Sequence, residues 1–168
     1  MPIKYEAAED VDGLMREICM LMFPHVKLDS VSCIRSHGSQ SRGTIARCHA
    51  LGKAMQLGMN RKIGFYVIEV ISKTFDRQSE EDKIKTIIHE IMHIPKSFGG
   101  GFRHHDYVCD ENVEVEYQRY VNLKKRDGGL SGLSGFDGKV NVNDTDVDER
   151  TSGDEGNKVV EKKKQYWW

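Results

Sequence analysis

Two histidines and a glutamate in one short segment carry the clearest chemical signal of the sequence. His89, Glu90 and His93 form the pattern HExxH. Residues four apart on a helix share a face, so the two imidazoles could bind one metal ion. Glu90 lies about 100° around the helix from His89, close enough to reach a water activated by that metal without being a ligand. The pattern therefore predicts hydrolysis by metal-activated water, with Glu90 as the general base.

A catalytic zinc site needs three protein ligands and one open position, so a third ligand must follow. The residues that the metzincin pattern requires after His93 are absent, which excludes that class. His104 and His105 are the next candidates, because the glycine-rich turn 99–101 could bring the chain back over the metal. Glu114, near the spacing of a thermolysin-like ligand, is an alternative, although its position is more typical of a solvated helix face.

The motif lies in the best-marked helix of the sequence. Ser79 is a typical N-cap, and Asp82 three residues later completes an aspartate form of the capping box. The acidic run 80–82 suits the positive end of the helix dipole, and Pro95 ends the element. The apolar stripe of this helix consists of Ile84, Ile87, Ile88, Ile91 and Met92.

The remaining elements follow from periodicity and turn residues. Helical spacing predicts further helices over 7–22, 52–57 and 107–125. The β-branched and aromatic run 65–71 gives the strongest strand signal. Two β-prone runs, 31–36 and 44–51, flank the loop HGSQSRG and predict a hairpin.

Composition limits the class of protein and divides the chain. The 168 residues carry a net charge of −1, which argues against strong nonspecific nucleic-acid binding through overall charge. No apolar run approaches the ~20 residues of a membrane span, and the polar N-terminus is unlike a signal peptide. Four widely spaced cysteines then indicate free thiols in the cytoplasm. We expect a folded domain over 1–126 and, over 127–168, a flexible acidic glycine-rich linker with a basic, aromatic tail.

Three segments resemble a known family. They are CIRSHGSQSRGTIAR (33–47), YVIEVISKTFD (66–76) and IIHEIMHIPKSFGGGFRHH (87–105). Together they resemble the metallopeptidase domain described in archaeal and phage proteins. The last segment is the most specific, because HExxHIPK followed by FGGGFR and a histidine goes well beyond a bare HExxH.

The resemblance implies an α+β fold of the minimal zincin-like type. A small antiparallel or mixed sheet would pack on an N-terminal helix and on the HExxH helix. It also implies a Zn²⁺ ion held by His89, His93 and His105, with His104 as the alternative third ligand. The substrate would be a peptide or protein. In such folds an edge strand beside the site binds extended peptide, and Tyr66–Ile71 is either that strand or a plain core strand.

The same residues also fit two other functions. A non-catalytic metal-binding interaction module would keep the histidines without needing Glu90. A DNA-associated SprT-like protease is a further alternative, suggested by the net charge of +2 over residues 1–126. Arg42, in the loop HGSQSRG, could contact a substrate carboxylate or phosphate. Cys33, His37, Cys48 and His49 have the chemistry of zinc ligands but lack the usual spacing, so buried or free thiols are the better interpretation.

Overall fold

The computed structural model describes residues 2–39, 41 and 43–130, and over 127–130 the backbone alone. In chain order its elements are β1 (Lys4–Ala7), α1 (Glu9–Met22), β2 (Val31–His37), β3 (Ala46–Ala50), α2 (Lys53–Gly58), β4 (Tyr66–Ile71), α3 (Ser72–Phe75), α4 (Glu80–Met92) and α5 (Asp110–Leu130). The four strands form one mixed sheet, which confirms the expected α+β class.

The strand order is β1-β2-β4-β3, so the predicted hairpin is wrong. The two runs expected to pair with each other, β2 and β3, lie on opposite sides of β4; β2 is parallel to it and β3 antiparallel. The physical reason is burial. Five of the six residues of β4 are buried, and an inner position covers such a strand on both faces and both edges. The connection from β2 to β3 passes the end of β4, where the Ile71 amide donates to the Ile45 carbonyl at 2.8 Å.

The first strand was not predicted. The alternation of polar and apolar residues over Lys4–Ala7 is a weak strand signal, because it spans four residues and none of them is buried. It forms by antiparallel pairing with β2, with Lys4 opposite His37 and Ala7 opposite Ile34. Backbone hydrogen bonds to a neighbour that is distant in sequence thus determine this element.

Helices α1 and α4 each bury one apolar face, and in α4 this face is the predicted stripe, with Ile84 partly buried. In α1 the buried residues are Val11, Met15, Ile18, Cys19 and Met22. In α4 the Ser79 side chain accepts a hydrogen bond from the Asp82 amide at 3.1 Å, which confirms the N-cap. Both helices join the strands in one core, with Ile68, Ile87 and Ile91 fully buried. The sheet therefore packs on the N-terminal helix and on the HExxH helix, as expected.

The last helix begins later and continues further than predicted. Expected over 107–125, α5 begins at Asp110 and reaches Leu130. It packs on α1, where the Tyr120 hydroxyl donates to Glu17 at 2.5 Å and the Lys124 ammonium lies 2.7 Å from the same carboxylate. Of the linker and tail predicted over 127–168, the part beyond 130 lies outside the described residues, and so does Arg42. Within the described part of the chain, no helix has both the length and the apolar character that crossing a membrane requires.

Candidate metal centre

Three imidazoles converge at the end of α4. His89 and His93 lie one helical turn apart, and their Nε2 atoms are separated by 3.2 Å. His105 arrives from the loop after the helix, with its ring centroid 4.7 Å from that of His93 and 5.7 Å from that of His89. One ring nitrogen from each of the three lies within 4.8 Å of the others. Such a set of nitrogen donors could hold a single metal ion.

The two helical histidines are held in the neutral form that metal binding requires. Burial, together with the charges of the neighbouring imidazoles, lowers the pKa of His89 to about 3. Burial likewise lowers the pKa of His93. His93 Nδ1 lies 2.8 Å from the Arg103 carbonyl, which can only accept, so Nδ1 carries the hydrogen. The lone pair of His93 is therefore on Nε2, the atom that faces the other histidines.

The loop between α4 and α5 determines which histidine joins the group. The Arg103 amide donates to the His93 carbonyl at 2.8 Å, so the chain returns ten residues later to the residue at which it left the helix. His105 follows two residues beyond this contact. His104 instead begins the next turn, with its carbonyl accepting from the Tyr107 and Val108 amides. The His104 side chain lines the adjacent cavity but does not belong to the three-histidine group.

The glycine-rich part of this loop is fastened to the sheet. The Tyr66 hydroxyl accepts a hydrogen bond from the Gly100 amide and donates one to the Gly101 carbonyl, both at 2.9 Å. Gly100 has φ +88°, a conformation that side chains rarely adopt. At Gly64 a Cβ would lie 2.7 Å from the Phe98 carbonyl oxygen, so only glycine allows the two backbones to approach this closely. The sequence thus encodes the return of the chain that the glycine-rich turn suggested.

Glu90 lies on the side of α4 that faces β3. It is only 4% exposed, and a backbone hydrogen bond joins its carboxyl group to Cys48. Burial raises the pKa of Glu90 to about 8, although the hydrogen bond from Cys48 acts in the opposite direction. The carboxyl group can therefore exchange a proton near neutral pH, which is the property of a general base.

A cavity of about 450 Å³ joins these groups. It is open to solvent, and α4, β3 and the loop before α5 form its walls. The lining residues are Thr44, Ala46, Arg47, Cys48, His49, His89, Glu90, His93, Phe102, Arg103, His104 and His105. No sequence pattern associates Arg47, His49 or Arg103 with the three histidines. One sequence feature could have indicated His49: Glu69 is a charged residue within an apolar strand and requires a partner. In the structure its carboxylate lies 2.7 Å from His49 Nε2.

The structure places the other candidates outside the three-histidine group. Glu114 lies on α5, where its carboxylate is 2.6 Å from the Lys85 ammonium. His37 bonds Glu6 at 2.8 Å. Cys48 and His49 alternate in direction on β3, and burial raises the pKa of the Cys48 thiol.

Two further findings concern the neighbourhood of the cavity. The Tyr107 ring packs under the Arg103 guanidinium, whose central carbon lies 3.1 Å from the ring centroid. The idea that Tyr66–Ile71 is the edge strand beside the site is wrong, since β4 is an inner strand. The edge strand that lines the cavity is β3, and its polar residues suit an edge better than the apolar run of β4 does.

Comparison with known proteins supplies the family. Residues 3–123 match the family described as "Putative phage metallopeptidase", which covers all the elements up to most of α5. No curated protein and no solved structure matches the chain significantly. A metallopeptidase family implies a metal ion, and the three histidines could bind one. The chain belongs to the putative phage metallopeptidase family.

Proposed function

We propose that this protein is a zinc-dependent peptidase in which His89, His93 and His105 bind the metal and Glu90 is the general base. One observation carries the proposal: three imidazoles converge on one point, and a buried carboxyl group lines the same cavity. Three nitrogen ligands leave one tetrahedral position open, which distinguishes catalytic from structural zinc sites.

The residues divide the work of peptide hydrolysis among them. When bound, zinc supplies Lewis acidity, which polarises a carbonyl group and makes water more acidic. Glu90 accepts a proton from the attacking water and later returns it to the leaving amine. The Arg103 carbonyl fixes the orientation of His93, and the turn at His104 positions His105.

Strand β3 supports a peptide as the substrate. In the part of the chain that the structure describes, β3 pairs with β4 alone, so its other edge offers backbone donors and acceptors, apart from the Cys48 group bonded to Glu90. Ala46 and Cys48 of this strand line the cavity that contains Glu90. An extended peptide could add to this edge by backbone hydrogen bonds and present its scissile bond to the metal.

The cysteines support a reducing compartment, and we place the protein in the cytoplasm. All four are free thiols. Cys33 and Cys48 both lie opposite Ile68, one on each side of it, so two strand spacings of about 4.8 Å separate them. This distance is too large for a disulfide.

Metal content tests the proposed ligands directly. We expect about one zinc per chain in the wild type by elemental analysis, lost in His89→Ala and in His105→Ala. His104→Ala is the matched control, because it removes the neighbouring imidazole and should keep the zinc. A wild type that binds no zinc after reloading, or loss of zinc in His104→Ala alone, would contradict the proposal.

Glu90→Gln separates an enzyme from a metal-binding module without turnover. The amide preserves size but cannot accept a proton. We expect the variant to keep its zinc and to lose hydrolysis of a quenched fluorescent peptide library by at least about a hundredfold, the usual range for a general base. If zinc-loaded wild type and variant hydrolyse the library equally slowly, the protein is a metal-binding module.

A further inference from the structure

Four residues of basic type line the cavity beyond the three histidines. Arg47 and His49 come from β3, and Arg103 and His104 come from the loop before α5. We call these four residues the basic wall. Among the described residues that line the cavity, the one carboxyl group is Glu90, which is buried. Because Glu69 offsets the charge of Arg47, Arg103 is the main source of positive charge in this wall.

Glu69 lies behind the β3 half of the wall. Its carboxylate is 2.7 Å from His49 Nε2 and 3.6 Å from the Arg47 guanidinium. Burial would raise the pKa of this carboxyl group, but the neighbouring Ser36 hydroxyl, the bond to His49 and the charge of Arg47 lower it. Arg47 lies opposite Glu69 and Cys48 opposite Ile68, so Glu69 holds the Arg47 and His49 side chains on the sheet face away from Cys48 and α4.

Arg103 supplies positive charge beside the three histidines. Its backbone bonds His93 through both its amide and its carbonyl, which fixes the position of the residue. Its guanidinium stacks on the Tyr107 ring. A stacked arginine keeps its donors free for a planar anion.

We propose that Arg103 binds a carboxylate of the peptide substrate close to the scissile bond. This inference rests on the proposed peptidase function and names its substrate class. Arginine and carboxylate match in geometry and form charge-assisted hydrogen bonds. The carboxylate comes either from an acidic side chain or from the free C-terminus of the peptide.

Binding to the full-length Glu90→Gln variant, loaded with zinc, tests this without turnover. The probes are fluorescent decapeptide pools that differ in one respect: glutamate against glutamine at the central positions, or a C-terminal acid against its amide. We expect about tenfold to hundredfold tighter binding of the carboxylate member of one pair, measured by fluorescence anisotropy. The pair that responds identifies the source of the carboxylate. Equal binding of both members of both pairs would overturn the inference.

A second substitution in that background assigns the contact. Arg103→Gln should remove most of the carboxylate preference, and Arg103→Lys should restore part of it. Arg119→Gln is the matched control, because Arg119 lies on α5 with Glu116 and outside the cavity. A preference unchanged in Arg103→Gln would refute the role of Arg103. A single-stranded oligonucleotide that binds more tightly than any peptide, with the same dependence on Arg103, would show a nucleic-acid site instead.

Catalysis provides an independent comparison in the wild type. Zinc-loaded protein should cleave the preferred pool with a higher kcat/KM than its uncharged counterpart. Cleavage of all pools at equal rates would overturn the carboxylate inference while the peptidase proposal stands. Absence of cleavage together with a carboxylate preference in binding would overturn the peptidase proposal alone.

Discussion

The Tyr66 hydroxyl connects the inner strand β4 to the loop that carries His105, and its removal is a sharp test of how that loop is held. The oxygen accepts from the Gly100 amide and donates to the Gly101 carbonyl, each at 2.9 Å. Tyr66→Phe deletes both hydrogen bonds. It keeps the ring, which packs edge-on against Phe98 with centroids 5.0 Å apart.

The substitution lowers the free energy of unfolding, because it leaves two backbone groups without their partner. A buried backbone group that loses its partner costs about 1–3 kcal/mol, but a group that water can reach costs less. Gly101 is exposed, so its carbonyl can be rehydrated, whereas Gly100 is half-buried. We therefore expect Tyr66→Phe to lower the free energy of unfolding by about 1–2 kcal/mol. Zinc affinity should also fall, because the loosened segment carries His105.

Urea unfolding of the metal-free protein, followed by circular dichroism, measures the first effect. Tyr5→Phe is the matched control, since Tyr5 is 59% exposed on β1 and should change stability by less than about 0.5 kcal/mol. Equal stability of the two variants would refute the conclusion that the hydroxyl fastens the loop. Zinc competition with a chromogenic chelator then reports the second effect.

Two further predictions concern glycine and pH. Gly64→Ala should destabilise the protein by more than about 1 kcal/mol in thermal unfolding, since its Cβ would meet the Phe98 carbonyl oxygen at 2.7 Å and the Gly100 amide at 2.8 Å. Gly13→Ala, on exposed helix surface with no atom within 4 Å, should instead stabilise it by about 0.5–1 kcal/mol. Because burial lowers the pKa of His89 to about 3, metal-free protein should lose stability as pH falls below about 6.5, where the unfolded imidazole takes up a proton. Between pH 7.5 and pH 5.0, the free energy of unfolding measured with urea should fall less for His89→Gln than for the wild type. An equal fall in both proteins would contradict this reasoning.

The parts of the fold that were predictable are those that local sequence determines. Helix α4, its cap at Ser79 and the spacing of His89 and His93 depend on residues within one or two turns of each other. Strand β4 was predictable because its composition is extreme. The strands that pair with β4 were not predictable. Whether β2 and β3 pair with each other or with β4 depends on which strand the core must bury most deeply.

In the candidate site, too, some features are determined by local sequence and others only by the fold. Position 105 was favoured over 104 by resemblance, whereas spacing alone left the two open. The distinction depends on the contact between Arg103 and His93, which no local pattern reveals. The basic wall was missed because Arg47 and His49 reach the cavity only through the order of the strands. Glu69 was the available signal, as a charge in the middle of a buried strand requires a partner.

The proposed ligands and the proposed base all lie between residues 89 and 105, whereas half of the basic wall comes from β3, an edge strand much earlier in the chain. An edge strand is hydrogen-bonded to one other strand only, so a change in its sequence affects a single strand pairing. During divergence from a common ancestor, β3 could therefore accumulate substitutions that alter the choice of substrate while the metal-binding segment stays intact. The same separation makes β3 the natural place to graft a new specificity onto this scaffold.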